Sequence, residues 1–265
     1  MLGRLITYEL RKKWKASRYV LLGYAAVQML LLMIIRVFLW NEGIIDGFEI
    51  NSETQANFNA SFGLLTLLFF AISFMLGAYP FLESMYRFER DLSGKQAYLE
   101  LMLPAAAWQK VLSKLAATLV SLVVCGTLSL LSMFIFLMVN SNFRYFFEFF
   151  DMVLQMVVSS PAGFIAAITL TLFGFACLYI LIFLCIAVAK SFTHKNSIAV
   201  PIGIMAFILM TVLISTLESQ TAKFPIYIFR FADLSFALST AVMTIVLFAL
   251  LLMATGWLME KKIEH

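Results

Sequence analysis

The sequence predicts an all-α polytopic membrane protein, six transmembrane helices preceded by an amphipathic interfacial helix. Three observations carry that prediction. Of the 265 residues, 63% are hydrophobic and only 13% charged, with a mean hydropathy of +0.96; a soluble domain carries about 25% charged residues. Six runs are long and apolar enough to cross a bilayer, which takes roughly 20 residues of helix. The basic residues gather on alternate connections, the pattern of inserted helices. The runs are continuously apolar, without the in–out alternation of a barrel strand.

In chain order, residues 1–18 come first. Leu2, Ile6, Leu10 and Trp14 recur every four residues, and basic side chains occupy the other faces. This spacing suits a helix on the inner leaflet, apolar side toward the membrane lipid and Lys/Arg toward anionic headgroups. The other reading of the same residues is a basic flank without a fixed helix. The spans follow at about 19–40, 62–82, 115–139, 162–189, 198–217 and 234–259. The fourth is long enough to tilt, or to break near Gly174. Between spans three and four, residues 143–158 place Arg144, Glu148, Asp151 and Gln155 on one helical face. That predicts an amphipathic helix at the outer interface or packed over the bundle. Residues 218–233 are too apolar for a solvated loop and carry Pro225, so a short re-entrant or interfacial segment is expected there. Without a visible repeat or low-complexity linker, residues 1–265 read as a single transmembrane domain.

Charge sets the orientation. Arg4, Arg11, Lys12, Lys13, Lys15 and Arg18 precede the first span. Arg87, Arg90, Lys95, Lys110 and Lys114 lie around the 2–3 connection, Lys190 and Lys195 around the 4–5 connection, and Lys261 and Lys262 at the end. Together they are 15 of the 19 basic residues. The 1–2 loop instead holds Glu42, Asp46, Glu49 and Glu53. Both termini are therefore expected in the cytoplasm of a multi-pass cell-membrane protein. The net charge of +4 reflects this topology, and no nucleic-acid partner is implied. Cys125, Cys177 and Cys185 all fall inside spans, where they act as small apolar residues.

Chemistry is sparse. Leu92-Ser93-Gly94-Lys95-Gln96 is one residue away from the Leu-Ser-Gly-Gly-Gln signature of ABC ATPases. A working ATP site also needs a Walker A loop, whose backbone amides and lysine hold the phosphates. Gly94-Lys95 is the only Gly-Lys pair; Glu89 stands five residues before Gly94, and Gln96 follows the lysine. The pentapeptide is thus a coincidence. His194 and His265 are the only histidines, too few for a histidine-based metal cluster, and neither lies within a span to activate a serine. No catalytic residue, metal ligand or resident cofactor is expected in this chain.

Read more widely, residues 83–114 resemble the cytoplasmic segment between spans two and three of ABC-2 type transporter permeases. The resemblance rests on the charged helix extension with Glu89, Arg90 and Asp91, then Gly94, a Leu-rich stretch with Leu99, Leu101 and Leu103, then Pro104, and Lys110 or Lys114 opening span three. Lys95 departs from the Thr or Ser usual after that Gly. Glu83, Arg87 and Arg90 share a helical face, Gly94 permits a turn, and Pro104 ends the short helix. The resemblance implies a permease subunit of an ABC exporter, with residues 83–110 as the segment that couples to separate ATPase subunits. ATP and Mg would reside in those partners. It further implies a second copy or a related permease chain, and a hydrophobic or amphipathic substrate. The alternative is a non-transporting scaffold or sensor that docks a cytoplasmic partner through the same segment.

Overall fold

The structure, a computed structural model, describes residues 2–41, 60–92, 105–141, 146–193, 196–223, 228–231 and 234–262. In order the elements are α1 (Leu2–Asn41), α2 (Ala60–Asp91), α3 (Ala107–Asn140), α4 (Phe146–Ser159), α5 (Pro161–Phe192), α6 (Asn196–Ala222), β1 (Ile228–Phe231), β2 (Leu234–Ala237) and α7 (Leu238–Lys262). Six of these helices are long and apolar enough to span a membrane, the first of them N-terminal. The chain is an all-α multi-pass protein whose described strands form a single short hairpin.

Several elements differ in extent from the expectation. The amphipathic stretch 1–18 and the first span form one continuous helix of 40 residues, about 60 Å at 1.5 Å per residue and twice the hydrocarbon thickness of about 30 Å. No Gly or Pro stands between Arg4 and Leu22 to end it. Leu2, Ile6 and Leu10 are half-buried on it, whereas Trp14 points outward with 59% of its surface exposed. The buried positions of the stretch are Glu9, Lys13 and Ser17. α5 runs through Gly174 without a break. The last span starts at Leu238, not at 234, because Leu234–Ala237 pair antiparallel with Ile228–Phe231 in the register Ile228↔Ala237 to Phe231↔Leu234. A hairpin thus occupies part of the region expected to be re-entrant or interfacial, and α6 extends to Ala222 before it.

The described residues divide into two compact units. One comprises Met1–Glu9, Phe81–Leu119 and Ser159–His265. Its central helix is α5, against which α6 and α7 pack. A helix that is apolar all round belongs in an interior, and the C-terminal half of α5 buries Tyr179, Ile180, Phe183 and Leu184. Phe88 of α2, Leu92 just after it, Val111 of α3, and Leu251, Leu252 and Met259 of α7 complete this core.

The other unit comprises Leu10–Pro80 and Val120–Val158. Its apolar core is Leu31, Ile35, Leu39, Phe69 and Phe136, with the two rings 4.7 Å apart. Beside it lies a hydrogen-bonded cluster from three helices. Tyr24 Oη and Ser132 Oγ are 2.6 Å apart, Gln28 Nε2 donates to Ser73 Oγ at 2.9 Å, and Ser129 Oγ donates to the Ser73 carbonyl at 2.7 Å. Away from water such groups must pair with one another, so the cluster fastens α1, α2 and α3 together. α4 rests on α3 through Phe149 against Phe134 at 4.8 Å. Its polar stripe is real over the described part, since Gln155 Nε2 donates to Asp151 Oδ2 at 3.0 Å; Arg144 lies outside the described residues.

Candidate coupling site

The charged extension that follows the second span is the last three turns of α2, and its side chains sort by face. Ser84, Phe88 and Asp91 recur at helical spacing and are buried, at 2%, 1% and 3% exposure. Ser84 Oγ donates to Thr118 Oγ1 of α3 at 3.0 Å. Phe88 stacks on Phe183 of α5, centroids 4.3 Å apart and planes 14° from parallel. Asp91 accepts a hydrogen bond from Lys114 Nζ of α3. Leu82, Tyr86 and Arg90 recur on the opposite face and are exposed. The Arg90 guanidinium sits over the Tyr86 ring, 5.9 Å from its centroid.

Glu83 and Arg87 form the predicted i,i+4 pair, with 2.6 Å between Arg87 Nη2 and Glu83 Oε1, on a flank that is largely covered. Of the residues expected to meet a partner, Arg90 therefore stands free of the core and Asp91 is spent inside it. Glu89 is partly exposed and reaches Lys190 at the end of α5, 3.0 Å away. Gly94, Leu99, Leu101 and Pro104 lie outside the described residues.

Three residues of the site carry no mark in the sequence motif, Glu9, Lys190 and Glu260, and Lys114 entered it only as a candidate for the Lys that opens span three. Lys114 Nζ lies 3.7 Å from Glu9 Oε1 of α1 as well as against Asp91. One ammonium thus joins the ends of three helices, with all three residues under one-tenth exposed. Glu260 of α7 accepts the Ala107 backbone N–H at 3.1 Å, putting a carboxylate where the N-terminal amides of α3 lack partners. α7 also comes very close here, since a Cβ on Gly256 would lie 3.0 Å from Trp108 N. The signal for Glu9 was available: it is the one acid in a basic stretch, seven residues from Leu2 and so on nearly the same helical face.

Buried ion pairs contribute little net stability, because desolvation opposes the Coulomb attraction, yet removing one partner is costly. The end of α2 is thus tied to α1 and α3 at Lys114 and to α5 at Lys190 and Phe183. Among the described residues, no group of three or more His, Cys, Asp or Glu is placed to hold a metal ion.

Compared with protein-family models, curated proteins and solved structures, the chain finds no match.

Proposed function

We propose that this chain is the membrane-spanning permease subunit of an ABC transporter of the ABC-2 type, driven by ATPase subunits on separate chains. The single observation that carries the reading is the Lys114 junction, with Glu9 and Asp91 both at the ammonium. The N-terminal end of α1 and the flanks of the 2–3 connection, the segment that the resemblance assigns to coupling, belong to one compact unit with α5, α6 and α7. A partner gripping the exposed Arg90 and the connection beyond it would move α2, α1 and α3 as one lever, since each buried charge must stay with its counterion.

In this reading the chain performs no catalysis; ATP and Mg act in the partner, and the membrane is the cell membrane with both chain ends in the cytoplasm. A second copy or a related permease completes the path, and the substrate is hydrophobic or amphipathic. The test is affinity purification of the tagged chain from its native membrane in mild detergent. A co-purifying subunit with a complete Walker A loop and signature supports the reading; its absence from an otherwise intact complex favours the scaffold or sensor.

A further inference from the structure

We infer that the cleft between α2, α5 and α6 is a phospholipid-binding site, selective for a zwitterionic headgroup with a primary ammonium. The cleft encloses about 510 Å³, within the range of about 300–1,000 Å³ in which proteins hold small ligands. Phe81, Leu82, Cys185, Gly203 and Phe207 are among the residues that make its wall apolar, and Glu89 and Lys190 are its charged groups. Gly203 deepens the floor, for a Cβ there would project to 3.6 Å from Ala189 Cβ. The lip is formed by Leu82, Tyr86, Val200 and Ile204, each more than half exposed, so the cleft opens on the outside of its unit.

Its position selects a lipid. The wall is built from the end of the second span, the end of the fourth and the start of the fifth, which is the depth where acyl chains meet headgroups. An acyl chain gains little by leaving the bilayer for an apolar wall, because the tails around it are equally apolar. Selectivity must then come from the charged end. There Lys190 Nζ and Glu89 Oε1 stand 3.0 Å apart. One cation and one carboxylate complement a phosphate carrying an ammonium: phosphate to Lys190, ammonium to Glu89, each a charge-assisted hydrogen bond. A headgroup with phosphate alone would set a second anion beside Glu89 with only the Lys190 ammonium to offset both. The site does not depend on the permease reading, since a scaffold with this cleft would bind the same lipid.

The experiment is native mass spectrometry of the full chain, released from bilayers containing equal parts of phosphatidylethanolamine and phosphatidylglycerol. The wild type should retain phosphatidylethanolamine over phosphatidylglycerol by about fivefold or more. Val200→Trp/Ile204→Trp, which fills the mouth from exposed positions, should lower retention about tenfold, and Leu82→Trp does the same from the opposite wall should the first variant not fold. Glu89→Gln should abolish the preference while retention persists. Retained lipid that mirrors the supplied mixture, or folded tryptophan variants that hold lipid as the wild type does, would overturn the assignment. Neither outcome bears on whether an ATPase co-purifies.

Discussion

Phe88 of α2 and Phe183 of α5 lie face to face, centroids 4.3 Å apart, each with 1% of its surface exposed. The contact fixes the end of the second span against the most buried helix of its unit. Truncating a buried Phe removes both transfer energy and packing. Phe88→Ala should therefore destabilise the protein by about 3–5 kcal/mol, measured by unfolding in mixed micelles. Phe74→Ala, at a site 74% exposed, should stay within about 0.5 kcal/mol of the wild type.

Lys114 offers a sharper test of the buried charges. Lys114→Met leaves Glu9 and Asp91 without the ammonium they share and should cost about 3–5 kcal/mol. Removing a carboxylate as well should recover part of that loss, so Asp91→Leu/Lys114→Met should be more stable than Lys114→Met alone. A double variant as unstable as the sum of its single changes would show that Asp91 and Lys114 are not coupled.

Two glycines separate close approach from open space. At Gly256 an added Cβ would meet the backbone of Trp108 at 3.0 Å, and backbone cannot move aside; at Gly203 the nearest atom is Ala189 Cβ at 3.6 Å. Gly256→Ala should lower the melting temperature measurably, whereas Gly203→Ala should leave it unchanged. Glu260→Ala, which strips the N-terminal amide of α3 of its acceptor, should cost about 1 kcal/mol and speed hydrogen exchange at Ala107.

The polar cluster of α1, α2 and α3 predicts a small effect. Hydrogen bonds between transmembrane helices contribute about 0.6 kcal/mol on average and at most about 1.7. Ser73→Ala, which removes partners of Gln28, Tyr24 and Ser132, should fall within that range in a denaturation series.

The six spans were legible because about 20 consecutive apolar residues have few other uses. Their ends were not. α1 extends through Lys12, Lys13 and Lys15 because nothing in that stretch stops a helix, and the hydropathy that defines a span is blind to helical continuation beyond the apolar run. The hairpin was missed because four-residue strands carry little periodic signal, although Ile228, Phe229, Arg230 and Phe231 include the β-branched and aromatic residues that strands favour. Within the site, Glu83–Arg87 was legible since both partners lie one turn apart. Lys114 with Glu9 and Lys190 with Glu89 were not, because only the packing of distant segments brings those charges together.

The central claim is that the end of α2 receives an ATPase, and charge reversal there tests it most directly. Arg90 is exposed on the face opposite Phe88 and Asp91, and Arg87 is held by Glu83 on a covered flank, so Arg90→Glu alone alters the docking face without touching Phe88, Asp91, Lys114 or the Glu83–Arg87 pair. The measurement is quantitative co-purification from the native membrane, wild type beside variant, with both chains shown to be folded. The account predicts an ATPase with the wild type and at least a tenfold loss with the variant. Equal recovery with both, or no ATPase with either, would contradict it.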